Sequence, residues 1–457
     1  MDTRAVSGNK APLELRPEPA THRLELKQTE VGSVFVSNYP PYSLWNGDHL
    51  DAFQRALDTP WTSESPPLGL YLHIPFCRKR CKFCYFRLYT DKNAAQVEAY
   101  CDALAREIEL YGQQPAVAGR PVSFVYFGGG TPSYIAGKHL RELVDRVQAV
   151  LPWDRAGEIA FECEPGTLSE SKLATIRSIG VTRLSLGVQN FNDHILEING
   201  RAHVSMETYR ALPWIRALEF EQLNIDLIAG LIGETWETWR QSVRETIDVG
   251  PDSVTIYQME LPYNTRFSRQ LLDGALGAEL ADWTLKREWH AYAFDQLASA
   301  GYEISSSYTM VRKDTRGSFL YRDSLWHGAD MLGTGVSSFG HLSGVHAQNT
   351  ASWSSYLERV AIDELPLERA YSTTPLDRLT REVILQMKTG SLEVSYFRHK
   401  FGIDILEQFG PAFDKLAQQG MLNTTEDAVE LTPNGLLQVD MLLPEFYAPE
   451  HRPARYT

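Results

Sequence analysis

"HIPFCRKRCKFCYF", residues 73–86, places three of the chain's five cysteines, Cys77, Cys81 and Cys84, within eight positions. The run before it, "LGLYLHI", has the apolar character of a buried strand, so the cysteines fall on the loop that leaves a strand end. Thiolates are soft ligands suited to iron–sulfur clusters or zinc. A structural zinc site calls for four ligands in closed tetrahedral geometry, and neither a fourth cysteine nor a pair of histidines stands nearby. A four-iron cluster also takes four thiolates as a rule. Three thiolates on one tight loop leave one iron open to an outside ligand. Cys101 falls in a predicted amphipathic helix and Cys163 in a predicted strand, where each reads as a small core residue.

From residue 68 the same strand signal recurs. The runs "LGLYLHI", "VSFVYF", "EIAFEC", "RLSLGV", "LNIDLIAG" and "SVTIYQM" alternate with amphipathic stretches at 93–112, 138–150, 169–179, 205–219 and 235–248. Strand then helix, six times over, predicts parallel β/α units. Cys77, the "GGGT" of 128–131, Glu162, Gln189, Asp226 and Met259 all fall at or just beyond the C-terminal end of a predicted strand. That rim is where β/α barrels build their sites. The expected organisation is an extended N-terminal arm over 1–60, a partial six-stranded β/α barrel over 61–350, and a small, mainly helical, winged-helix-like module over 351–457. "LGTGVSSFGHLSG" reads as a loop region, and "YAPEHRPARYT" as a loose tail.

Composition narrows the class. In 457 residues, 43% are hydrophobic and 22% charged, ordinary for a globular protein. No run is long and apolar enough for a membrane span, and the first 22 residues lack the apolar segment of a secretory signal. Five cysteines make no disulfide framework, so a reducing cytoplasm is the expected setting. A net charge of −14 argues against a nucleic-acid binder. The cysteine loop departs from that average, with Arg78, Lys79, Arg80, Lys82 and Arg87 close together. Such a run is either a solvated face or a local cationic field for an acidic electron donor or anionic ligand.

C-x3-C-x2-C with Phe83 before the last cysteine resembles the signature of radical S-adenosylmethionine (SAM) enzymes. "YLHIPFC", "FGGGTPS", "ECEPGTL", "LSLGVQNF", "NGRAH" and "NIDLIAGL", in that order over about residues 68–350, resemble the branch of oxygen-independent coproporphyrinogen III oxidase. The resemblance implies a 4Fe–4S cluster on Cys77, Cys81 and Cys84 and two SAM molecules. The cluster-bound SAM would be held by backbone near Phe83, by Gly130 and Thr131, and by Gln189, Arg201 and Asp226, with the Met259 backbone toward adenine. The second would lie against Tyr71, Gly129 and Glu162, with the loop around Val336 to Phe339 closing over it. Taken singly, His73 reads as a packed histidine, Glu162 as a possible ion-pair partner of Arg201, Asp226 as a possible helix cap, and Glu164 as structural.

One departure bears on the chemistry. The oxidase carries a further cysteine two residues after the third, and Phe86 stands there in this chain. The heme-carrying relatives lack it too, but they begin almost at the cluster motif. A long arm together with "CYFRLYTDKN" resembles the natural-product members of the branch: class C methyltransferases and the cyclopropane-forming enzymes of yatakemycin- and duocarmycin-like antibiotics. The expectation is therefore methylene transfer from a second SAM to an unsaturated carbon of an aromatic small molecule. A flavodoxin or ferredoxin would donate the electron, and a separate methyltransferase could complete the product. Porphyrinogen decarboxylation and heme carriage by the same fold are the alternatives.

Overall fold

The computed structural model describes residues 29–277, 279–315, 319–452 and 454. Its six leading strands coincide with the apolar runs: β1 (Leu68–Ile74), β2 (Val122–Gly129), β3 (Glu158–Cys163), β4 (Arg183–Gln189), β5 (Gln222–Ala229) and β6 (Ser253–Gln258). They pair in parallel, in sequence order. Parallel pairing needs a crossover between neighbours. The crossovers after α1 (Leu50–Asp58) use α2 (Ala94–Gly112), α3 (Gly137–Val150), α4 (Glu170–Ser178), α5 (Asp193–Ile198) with α6 (Ser205–Ala217), and α7 (Trp236–Val249). Helix starts are set by local chemistry. Asn93 and Gln96 form a reciprocal capping box for α2, and Gly250 ends α7 in the left-handed conformation.

After β6 come α8 (Arg266–Leu272), α9 (Trp283–Ser299), β7 (Tyr302–Ile304) and β8 (Thr309–Arg312), then β9 (Asp330–Thr334), β10 (Phe339–Leu342), β11 (Val345–Asn349) and β12 (Leu367–Ser372). The full sheet runs β12-β11-β10-β9-β1-β2-β3-β4-β5-β6-β8-β7. Its two ends are different strands, so it is an open, curved sheet with a parallel centre and no closed barrel. β2 is covered on both faces, since the successive Phe124 and Val125 point to opposite sides and are both at 0% exposure, which explains a run without alternation; β4 instead alternates Leu184, Leu186 and Val188 on one buried face with Arg183, Ser185, Gly187 and Gln189 on the other.

Four expectations need correction. "LGTGVSSFGHLSG" is not loop throughout: it holds most of β9, a turn at 335–338 and all of β10. Small residues hid strand character that comes from pairing with β1 and β11. The sheet therefore continues to Ser372, beyond the expected boundary at 350. The arm is extended only in part, because "LDAFQRALD" forms α1 with Phe53, Ala56 and Leu57 buried. Residues 1–28 of the arm lie outside the described residues. The tail is tied down as far as His451, whose Nδ1 lies 2.7 Å from the Tyr39 hydroxyl.

The C-terminal module has its own apolar core, with Leu379, Val383, Ile384, Phe397, Ile405, Phe413 and Val429 at its centre. It is mainly helical, with a three-stranded antiparallel sheet of β13 (Ser391–Glu393), β14 (Leu422–Thr424) and β15 (Ala428–Leu431). The arm threads between this module and the main sheet. Val36 and Tyr39 are buried in the module's core, while Ser33, Val34 and Phe35 bond to Glu260 beyond β6. No helix among the described residues is long and apolar enough to cross a membrane.

Candidate active site

The cysteine loop is fixed at both ends and in the middle. The Cys77 N–H donates to Tyr89 O and Tyr89 N–H to Pro75 O, closing the loop's base. Lys82 bonds through its backbone to Asn199 O and Phe267 N–H, and Tyr85 O accepts from Asn264 Nδ2. Gly130 is required here by space: a Cβ on it would lie 2.8 Å from Phe76 O and 2.9 Å from Ile74 O. Its N–H donates to Ile74 O at 2.8 Å, so the "GGGT" turn packs directly under the loop.

All three loop cysteines are free, half-buried thiols. Cys77 Sγ lies 3.3 Å from Thr131 Oγ1, and Arg201 Nη1 donates to Cys81 Sγ at 3.3 Å. Burial pushes the Cys77 thiol up to about 11 and the Cys84 thiol up to about 12. Free thiols in this setting stay protonated, whereas metal binding holds them as thiolates. Among the described residues no three His, Cys, Asp or Glu side chains converge as ligands to one ion would. A cubane does not ask for that, since each thiolate binds a different iron. Three thiols on a pinned loop, with an arginine donating to one sulfur and a hydroxyl within hydrogen-bond distance of another, fit a cluster held on three corners.

Cys84, Phe83, Gly130, Thr131, Glu162, Gln189, Arg201, Asp226 and Met259 all line one cavity of about 410 Å3. Cys77 and Cys81 are not in its wall but bond to Thr131 and Arg201, which are. Tyr71, Gly129 and the Val336–Phe339 stretch also lie outside that wall. Val336 N–H is held by the Tyr100 hydroxyl, and the Phe339 ring packs on Tyr42 of the arm.

The carboxylates in the cavity differ in state. Asp226, in the middle of β5 rather than at its end, accepts from Asn224 Nδ2 at 2.8 Å and Ser185 Oγ at 3.1 Å. Burial raises it to about 6, against those bonds and the charges of Arg183 and Arg201. Glu162 accepts from the Tyr126 hydroxyl at 2.6 Å and from Gly129 N–H at 3.2 Å, and burial raises it to about 7. No ion pair joins it to Arg201; that guanidinium spends Nη2 on Gly187 O. Tyr126 stacks on Tyr71, whose hydroxyl meets His73 Nδ1 at 3.2 Å, so Tyr71, Tyr126 and Glu162 form a nook behind Gly129. Glu164 is different again. Burial would raise it, but hydrogen bonds to His203 and Arg78 and the Arg201 charge hold it down at about 2. It anchors the base of the loop through the Arg78 fork, both bonds at 3.0 Å.

Gln189 takes a positive φ of 68° at the end of β4, which turns its amide back over Asp226. The Met259 N–H is spent on Ala229 O, and its C=O accepts from Lys286 Nζ at 2.7 Å, leaving one lone pair on that oxygen. Sequence reasoning missed much of the cavity's other half: Val34 and Phe35 from the arm, Arg287 from α9, Tyr308, and Gln438, Asp440 and Met441 from the C-terminal module. These come from segments far apart in the chain, and none carries a local motif.

Two sequence-family models match the chain in order: the Radical SAM superfamily over residues 71–246 and the HemN C-terminal domain over residues 373–437. An oxygen-independent coproporphyrinogen III oxidase of Synechocystis sp. is 27% identical over 437 residues, covering 91% of this chain and 92% of the relative. The heme chaperone HemW of Bacillus subtilis is 28% identical over 373 residues, covering 80% of this chain and 96% of the relative. The solved structure of coproporphyrinogen III oxidase (HemN) from Escherichia coli superposes with a TM-score of 0.79 at 25% identity, over 92% of this chain and 99% of that one. With the three-cysteine loop, the open parallel sheet and both matched segments in place, the chain has the radical SAM fold of HemN, the fold of proteins that use a 4Fe–4S cluster and SAM.

Proposed function

We propose that this protein is a radical SAM enzyme that removes a hydrogen atom from a carboxylate-bearing tetrapyrrole and releases carbon dioxide from it. The observation that carries the reading is one cavity, reaching from Cys84, Thr131 and Arg201 to the arm and the C-terminal module. A cavity walled from several separate segments limits how much solvent reaches a reactive intermediate. The relatives that span nearly the whole chain, named as coproporphyrinogen III oxidases, support the tetrapyrrole. They lend no support to the methyl- or cyclopropane-forming chemistry expected from the sequence.

A cluster held by Cys77, Cys81 and Cys84 would supply the electron for reductive cleavage of SAM, the source of the hydrogen-abstracting radical. The chain's own residues would hold the SAM. Gly130 and Thr131 lie beside the loop, where backbone and hydroxyl can meet the methionyl amine, and Arg201 suits its carboxylate. Each Asp226 oxygen accepts one hydrogen bond from the protein and keeps a lone pair for a ribose hydroxyl. A propionate that loses a hydrogen atom, carbon dioxide and one electron becomes a vinyl group. The electron spent on SAM is thereby matched by one given up. Lys79, Arg80 and Arg87 are exposed beside the cysteines, and an acidic flavodoxin- or ferredoxin-type donor would dock there.

A second reading, methylene transfer from a second SAM, rests on two observations. Phe86 stands where the oxidase has its further cysteine, and the Tyr71–Tyr126–Glu162 nook offers a polar, aromatic-walled place behind Gly129. SAM with a deuterated methyl group, given anaerobically with coproporphyrinogen III and a reductant, separates the readings. Unlabelled 5′-deoxyadenosine formed in step with carbon dioxide is the expected result. Deuterium in 5′-deoxyadenosine, together with S-adenosylhomocysteine, would establish the second reading instead. A Soret band on heme addition with no SAM cleavage would overturn both in favour of a heme carrier.

A further inference from the structure

The charged groups in and behind the cavity wall built by α9 and the C-terminal module find strong hydrogen-bond partners, with one exception. Lys388 pairs with Asp440 at 2.7 Å, and Asp440 also accepts from Val36 N–H and the Tyr308 hydroxyl. Glu260 is committed to the arm through Ser33, Val34 and Phe35. Lys286 is spent on Met259 O and Thr29 Oγ1, both at 2.7 Å.

Arg287 is the exception. It lines the cavity, yet among the described residues no carboxylate pairs with it. Its Nε is buried without a hydrogen-bond partner, and its one bond runs from Nη2 to Met441 Sδ at 2.9 Å. A thioether is a weak acceptor on a flexible side chain. Met441 thus covers a fork of donors that an anion would use far better. Burial lowers the group to about 10, as expected for a cation removed from water without a counter-ion. Arg287 is half-buried as a residue, but a guanidinium partly withdrawn from water, with its Nε shut off and no counter-ion, is costly and is kept where something else supplies its partner.

We infer that Arg287 anchors a carboxylate of the substrate, with Met441 moving aside to let the anion onto the guanidinium fork. This rests on the reading of a carboxylate-bearing substrate. It assigns the α9 wall to substrate recognition, while the cysteine loop and its surroundings serve the cofactors. Arginine suits the task because its planar fork matches a carboxylate with two parallel bonds, which a lysine cannot offer.

The test compares coproporphyrin III with its tetramethyl ester, titrated against the cluster-loaded full chain by absorbance or fluorescence. Wild type should bind the acid and discriminate strongly against the ester. Arg287→Met should weaken acid binding at least tenfold and leave ester binding unchanged, while Arg287→Lys should fall between. Ligand-free Arg287→Met, checked for iron content, should melt no lower than wild type, because the variant removes an unpaired charge. Acid binding unchanged in Arg287→Met, acid and ester weakened alike, or a lowered melting temperature would each overturn the anchor while leaving the tetrapyrrole reading standing. Failure of wild type to bind either compound would sink that reading, and the anchor with it.

Discussion

Gly130→Ala tests whether the glycine turn sets the position of the cysteine loop. The new Cβ would sit 2.8 Å from Phe76 O, 2.9 Å from Ile74 O and 3.0 Å from Phe76 N, all backbone atoms, whereas ordinary contact begins near 3.4 Å. Backbone cannot rotate away as a side chain can, so the segment carrying Phe76 has to retreat by roughly 0.6 Å, the difference between those distances. Cys77 follows it directly. Overpacking of this kind costs about 1–3 kcal/mol, which lowers the melting temperature of a chain this long by roughly 1–3 °C. Misplacement of a reacting group by 1 Å costs about a hundredfold in rate, so a tenfold loss of 5′-deoxyadenosine formation is the expected scale. The assay is anaerobic reconstitution, then iron per chain, a thermal melt, and the rate of SAM cleavage. Gly410→Ala, whose Cβ meets nothing within 4 Å, is the control. Gly130→Ala with wild-type iron content, melting temperature and rate would refute the claim that this contact positions the loop.

Three other outcomes follow from the same geometry. Changing Cys77, Cys81 or Cys84 to Ala should abolish the cluster's visible absorption and bound iron, whereas Cys101→Ala and Cys163→Ala, both buried in the main core, should keep them. Arg120→Met should cost about 3–5 kcal/mol in urea denaturation, because it leaves Asp330, 1% exposed and 2.7 Å away, as an unpaired buried charge. Glu107 is raised to about 7 by burial despite bonds from Tyr356, Gly335 and Asn349. A carboxyl raised on folding stabilises most below its unfolded value near 4.5 and loses that contribution as pH rises through about 7. Wild type should therefore lose on the order of 3 kcal/mol between pH 4.5 and 8 from this group. Glu107→Gln should flatten that slope, and an unchanged slope in the variant would remove Glu107 as its source.

The sequence by itself carried the strand positions and the cysteine chemistry, and the reason is local in both cases. Each central parallel strand keeps at least one fully buried apolar face, so β1 to β6 stood out as apolar or alternating runs and could be read within a residue or two. Three thiols at short spacing need no tertiary information to declare a soft-metal site. The "GGGT" turn, Gln189, Arg201 and Asp226 followed because they flank or interrupt strands already read. Tertiary structure alone decided the rest. β9 and β10 are short and broken by Gly333 and Gly340, with Asp330, Thr334 and His341 among their apolar residues, and they are strands because β1 and β11 offer them hydrogen bonds. Residues 50–58 are helical and buried because β11 and β12 give their apolar face a partner. The far half of the cavity joins Val34, Arg287, Tyr308 and Asp440, which span some 400 positions of chain. What makes Arg287 unusual, a cavity guanidinium whose one hydrogen bond goes to a thioether while its Nε has no partner, is a property of what surrounds it, and no stretch of sequence encodes that setting.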